Sequence, residues 1–249
     1  MGIYHLFKLS EIKKWGYIMI SNIKNLNDIE YEKLDGILAI FMTIYISIIT
    51  VIFVYIISKL GWNDKFVSNF ENKLFGKFIF YIPLAVVELL PIFIILKFRN
   101  QSLESVGINK NKIFKQIIIG ISMYLPLFLL NWKYFNVANI KSMSIWSFLY
   151  MLIEIAFVEE VIFRGYIQQR LRGIIKNKYI NLLIVSFIFG IMHIPITIIQ
   201  GNISITVACL SIIPKMAIHI YLVVVYKVGN NSVLSTTILH SLNNLLIGL

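Results

Sequence analysis

The chain reads as an all-α polytopic membrane bundle: about seven transmembrane helices preceded by an interfacial helix. Three observations predict that class. Hydrophobic residues make up 58% of the 249, only 14% are charged, and mean hydropathy is +0.80; soluble domains carry roughly 25% charged residues. Seven apolar runs lie at about 36–58, 77–97, 113–131, 145–165, 180–200, 203–227 and 232–248. Each approaches or exceeds the ~17–25 residues that cross a bilayer. Most cations sit between those runs, so the net charge of +11 signals topology and contact with anionic lipid, not nucleic acid.

Taken in order, residues 1–34 form an N-terminal arm and 35–249 a single transmembrane domain, with no internal repeat and no low-complexity linker. The arm has no run long enough for a signal peptide or a span. Ile12, Trp15, Met19, Ile23 and Leu26 recur at helical spacing with Lys13, Lys14 and Lys24 off the stripe, which predicts an interfacial amphipathic helix. Leu6 stands where a myristoylation signal wants Ser or Thr. All five prolines (Pro83, Pro91, Pro126, Pro195 and Pro214) fall inside runs, and kinks are expected there. Cys209, the single cysteine, lies in an apolar run, so no intrachain disulfide can form. Cations number five, five, five and one in the segments on the N-terminal side of the membrane, against four, two and none opposite. That asymmetry predicts a cytoplasmic N-terminus and an outer C-terminus. The hairpin with Arg164, Arg170, Arg172, Lys176 and Lys178 is then cytoplasmic.

Chemistry gathers at 145–249. Val158-Glu-Glu-Val-Ile-Phe-Arg-Gly165 ends the fourth run with two adjacent carboxylates and an arginine. Ionised groups at membrane depth are costly and usually line a cavity or pathway. At about 100° per residue Glu160 and Arg164 share a helix face and can pair, while Glu159 points away from both. One carboxylate is thus neutralised and the other free to carry a proton; a juxtamembrane charge cluster is the plainer alternative. His193, in Phe189-Gly-Ile-Met-His193-Ile-Pro195, lies as far beyond the Lys176–Asn177 hairpin as Glu160 lies before it. Antiparallel neighbours place such residues at equal depth, so Glu159, Glu160 and His193 are expected to meet. His240 opens His240-Ser-Leu-Asn-Asn244 in the last run. A His and an Asn about one turn apart can offer two donors to one oxygen, or simply join helices. Lys215 is expected to pair with Glu88 or Glu154, and His219 stands at a depth similar to His240. Two glutamates and several histidines could hold zinc, yet no H-E-x-x-H or cysteine set occurs, and no cofactor or metal is assigned.

Glu159-Glu160-x-x-x-Arg164, Phe189-x-x-x-His193 and His240-x-x-x-Asn244, in this order within apolar runs, resemble the CPBP family of CAAX-prenyl-protease and bacteriocin-processing (Abi) membrane proteins. The resemblance covers roughly 145–249, and no motif position departs from it. It implies an intramembrane endopeptidase in which Glu159 and His193 activate a water, His240 and Asn244 form an oxyanion hole, and Glu160 and Arg164 support the site. The implied substrate is a membrane-associated peptide or protein tail: a bacteriocin, a pheromone or a prenylated C-terminus. A non-catalytic membrane scaffold or immunity protein of the same fold is the alternative. An ion-coupled transporter is a third reading, though no broken-helix pair or symmetry of halves supports it.

Overall fold

The computed structural model describes residues 30–110, 112–132, 144–201 and 203–247. Residues 1–29 of the N-terminal arm, and with them the expected interfacial helix, lie outside the described residues. Ten helices and no strand are found among the described residues. They are α1 (Lys33–Leu60), α2 (Trp62–Val67), α3 (Lys73–Phe98), α4 (Ile113–Leu130), α5 (145–170), α6 (Lys178–Met192), α7 (Ile194–Gly201), α8 (Ile205–Leu210), α9 (Ile212–Val228) and α10 (Val233–Ile247). The seven apolar runs all become helical, as an all-α polytopic bundle requires.

Among the described residues, five helical stretches are long and apolar enough to cross a membrane: Lys33–Leu60, Lys73–Phe98, Ile113–Leu130, Lys178–Ile199 and Ile205–Val228. The helices with the charged motifs, α5 and α10, are not among them. The 15 residues of α10 reach only about 22 Å, short of the ~30 Å hydrocarbon slab. The second half of α5 is buried on every side, from Glu160 through Leu171. α5 is therefore the post around which the other helices stand.

Side chains are distributed as a bilayer demands. Phe41, Ile44, Ile48 and Ile52 of α1 and Val86, Leu90 and Ile94 of α3 are exposed, while Glu160, Arg164, Asn181, His219 and Ser235 have no exposure at all. In water such apolar faces would be a large sticky surface; in lipid they are the wetted outside. The core packs Val158, Ile162, Phe163, Tyr166 and Ile167 of α5 against Ala39, Met42 and Ile46 of α1, Ile92 and Leu96 of α3, and Val185 and Phe189 of α6.

Prolines mark two of the breaks. The fifth run bends at His193, two residues before Pro195, and the sixth at Ser211, three before Pro214. Each ring lacks an N–H and clashes with the preceding turn. Pro83, Pro91 and Pro126 lie inside α3 and α4 without interrupting them. α5 departs from α-helical winding: it opens into i→i+5 turns over Tyr150–Phe157 and again over Glu160–Ile167. Such wide turns cluster at functional sites.

One end of the bundle is locked by a polar cluster. Arg170 is 1% exposed. Its Nη1 donates to the Gly165 carbonyl at 3.0 Å and the Ser105 carbonyl at 3.1 Å. Nη2 reaches Gln101 Oε1 at 2.9 Å and Ser105 Oγ at 2.6 Å. Its guanidinium stacks over Tyr31 and Tyr166. Arg99 joins the same end, bonding Asp35 Oδ1 at 3.0 Å and Glu32 Oε2 at 2.5 Å. Arg170, expected as a loop cation, is thus an internal anchor; its five donors find acceptors only inside.

Gly165 makes that anchor possible. A Cβ there would collide with the carbonyl oxygen of Val106, in the 3₁₀ turn Leu103–Val106 that Arg170 also holds. Gly165→Ala must push the turn off α5, and overpacking of this kind costs about 1–3 kcal/mol. Thermal unfolding in detergent should show a clearly lowered midpoint, and an unchanged melt would mean that the turn yields freely.

Candidate active site

The two carboxylates of α5 have different surroundings. Glu160 is fully buried and its Oε1 has two partners, Arg164 Nη1 at 3.0 Å and His240 Nδ1 at 2.8 Å. Arg164 is equally buried; the approach is close but poorly aligned for a hydrogen bond, so an ion pair describes it better. Its guanidinium also lies over the Phe189 ring, 4.6 Å from the centroid, a favourable seat for a desolvated cation. The expected Glu160–Arg164 pair therefore forms, even on a widened helix. Glu159 keeps 27% side-chain exposure, and its Oε2 stands 3.9 Å from His240 Nε2. No protein group hydrogen-bonds that Glu159 oxygen or Glu160 Oε2 among the described residues.

His240 is thus placed between both acids, an arrangement that spacing did not reveal. A carboxylate accepts, so His240 Nδ1 carries the proton and its Nε2 is turned to Glu159. In that tautomer Nε2 can accept; it donates only when the ring is doubly protonated.

His193 ends α6. Its Nδ1 lies 2.7 Å from the Phe189 carbonyl of its own helix. A carbonyl only accepts, so Nδ1–H is the donor and Nε2 is left to the site. The Phe189 ring stacks beside it at 4.6 Å and meets Phe163 edge-on at 5.0 Å. Glu159's charge acts on both His193 and Lys215, while among the described residues no ion pair within 4.0 Å joins His193 to either glutamate. Asn244, one turn beyond His240, is half-buried, and Asn243 is 3% exposed.

Other groups fall differently from expectation. The carboxylate whose charge reaches Lys215 is that of Glu159, not Glu88 or Glu154, and the cation whose charge reaches Glu154 is Lys77. Close approach of α9 to α6 turns Lys215 toward the His193 side: a Cβ on Gly190 would sit 2.8 Å from Ile212 Cγ2. Glu88 of α3 also feels the charge of Glu159 and so borders the site. His219 sits behind it, fully buried, its Nε2 3.2 Å from Gln168 Oε1, while the Gln168 amide nitrogen meets Asn181. Gln168 drew no attention in the sequence, since an uncharged amide at the end of an apolar run carries no signal of its own. Among the described residues no group of three or more His, Cys, Asp or Glu is disposed to hold a metal ion.

Residues 141–246 match the family model described as "Type II CAAX prenyl endopeptidase Rce1-like". That span contains every residue of the three motifs, so the resemblance seen in the motifs holds for this part of the chain. Searches of curated proteins and of solved structures gave no match.

Removing one partner of the buried pair should be costly. Arg164→Ala leaves the Glu160 carboxylate without its cation, a loss of about 3–5 kcal/mol for breaking such a pair. Expression yield and thermal melts in detergent should both fall steeply. A stable Arg164→Ala protein would mean that His240 alone neutralises Glu160.

Proposed function

We propose that the Rce1-like part of the chain is an intramembrane endopeptidase that uses Glu159 as its general base. The observation that carries the reading is the convergence of Glu159, Glu160 and His240, from helices 80 residues apart in sequence, within the matched span. In this reading a water is held between the Glu159 carboxylate and His193 Nε2, both acting as acceptors for its hydrogens. Its oxygen lone pair then faces the peptide carbonyl. Glu159 takes one proton as the O–C bond forms, and later delivers it to the leaving amine.

The oxyanion is met by Asn244 and by His240 Nε2. Because Nδ1–H is committed to Glu160, His240 serves as a donor only as an imidazolium. Glu160 therefore has two tasks, balancing Arg164 and fixing the His240 ring. Donors preorganised in a low-dielectric site commonly supply the largest share of catalysis.

The substrate class proposed is a membrane-associated peptide or protein tail, covering bacteriocin-like, pheromone-like and CAAX-like processing. The protein would sit in the cell membrane with its N-terminus cytoplasmic and the site reached from that side, as the cation asymmetry suggests.

Three measurements test the assignment. Glu159→Gln, purified in detergent, should melt like the parent and cleave nothing; near-normal cleavage would remove Glu159 from the role of base. Asn244→Ala should lower kcat by about 10²–10³, the range for one oxyanion donor. Asn243→Ala, from a more deeply buried position, should instead lose on the order of 1 kcal/mol of stability and keep its turnover. The reverse pattern would mean that the wrong asparagine faces the substrate. Cleavage should also survive exhaustive chelation. Stoichiometric zinc whose removal and return switch the activity would recast Glu159, His193 and His240 as ligands.

A further inference from the structure

Lys215 is the intramembrane cation that the proposed mechanism leaves without a task. It lies in the first turn of α9 (Ile212–Val228) and is half-buried. Two physical rules disfavour a cation there. An ammonium at membrane depth loses hydration, and the first helical turn already presents the positive end of the macrodipole. Of the other acids among the apolar runs, Glu160 and Glu154 have their own opposites, while Glu88 has only the like charge of Glu159 acting on it. Glu160 holds Arg164 at 3.0 Å, and Glu154 has Lys77 beside it. None of the ion pairs within 4.0 Å among the described residues involves Lys215. The acid whose charge it feels is Glu159, which approaches no closer than that limit.

A close backbone contact sets the level at which Lys215 leaves α9. Gly190 of α6 lets Ile212 approach so closely that a Cβ would sit 3.1 Å from the Ile212 carbonyl oxygen. His193 is one turn from Gly190, and Lys215 one turn from Ile212. The His193 ring folds back to the Phe189 carbonyl, toward the level of Lys215. Lys215 accordingly acts electrostatically on His193 as well. Among the described residues, a positive charge without an ion-pair partner within 4.0 Å thus acts on both members of the proposed water-activating pair.

We propose that Lys215 receives the C-terminal carboxylate of the peptide, which makes a free chain end the recognised feature of the substrate. The proposal rests on Glu159 being the base of a peptidase. Its chemistry follows from the solvent. A segment that enters hydrocarbon carries few ionised side chains, since each costs about 2.5–3.5 kcal/mol at the centre of a span. The terminal carboxylate is the anion that every unmodified peptide retains. Extended chain advances about 3.3–3.6 Å per residue, so an end held at Lys215 sets the scissile bond a few residues before it. The carboxylate gains a charge-assisted bond, and Lys215 gains an anion at contact distance, which no described residue gives it.

The test compares two apolar peptides of one sequence, one with a free C-terminus and one with a C-terminal carboxamide. The parent protein should cleave the acid with a kcat/KM about 10–100-fold above that of the amide, the range for one hydrogen bond to a charged group, mostly through KM. Lys215→Met should bring the ratio close to one, and Lys215→Arg should restore most of it. An equal fall on both peptides with the ratio kept would make Lys215 a counter-ion of Glu159 and overturn the proposal. So would a parent protein indifferent to the chain end. A parent that cleaves neither peptide overturns the peptidase reading, and this one with it. Product inhibition gives the same answer without a variant: the C-terminal fragment as acid should inhibit the parent about 10-fold or more tightly than its carboxamide, and equal inhibition would refute the role of Lys215.

Discussion

The arrangement depends on one buried oxygen. Glu160 Oε1 receives the guanidinium of Arg164 from its own helix and the imidazole N–H of His240 from the last one. An unpaired carboxylate in this setting would be intolerable, and each partner covers only part of the need. The oxygen therefore ties α5 to α10 at one depth and sets the rotation of both. The orientation of the His240 ring, the exposure of Glu159 beside it and the seat of Arg164 over Phe189 all follow from satisfying that atom. Structure and proposed chemistry share one constraint, because the group that cannot be left bare also aims the imidazole.

Around that junction the bundle separates its solvents. Lipid-facing surfaces of α1 and α3 are apolar, while the centre collects amides, hydroxyls and charges. Ser232 just before α10 and Ser235, Thr236, Thr237 and Ser241 within it are all buried. Small hydroxylated side chains let membrane helices pack closely while bonding locally; Ser241 returns its proton to the Thr237 carbonyl at 2.8 Å. The end cluster of Arg170, Gln101 and Ser105 braces α5 from below, so the carboxylates are held from two directions.

Much of this is legible in the residue order, for identifiable reasons. Apolar runs of spanning length read directly as helices, and Glu160 with Arg164 reads as a pair because local spacing fixes both. Depth counted from the Lys176–Asn177 hairpin puts His193 within reach of the charge of Glu159. What stays hidden is which neighbour a residue meets at a given depth. Lys215 could face three acids, and the backbone contact at Gly190 chooses Glu159. Arg170 counts toward charge asymmetry wherever it sits, so composition cannot reveal that it is buried. The bond from His240 to Glu160 joins residues 80 apart, and no periodicity encodes a partner at that separation. The winding of α5 is equally silent, because an apolar pattern tolerates either pitch.

That winding sets a condition on chain length. Over Tyr150–Phe157 and Glu160–Ile167 each turn takes up more residues than an α-helix would use. The helix is pinned beyond both stretches, through Ser144 capping at its start and Arg170 at its other end. Deleting one residue between those pins need not break the helix, since a wide turn can tighten and keep its span. The same tightening would swivel Glu159 and Glu160 about the axis, away from His240 and from each other's present surroundings. Insertions and deletions within this stretch should therefore be rarer than conservative replacements of its apolar residues. The number of residues here is under as strong a constraint as their identity.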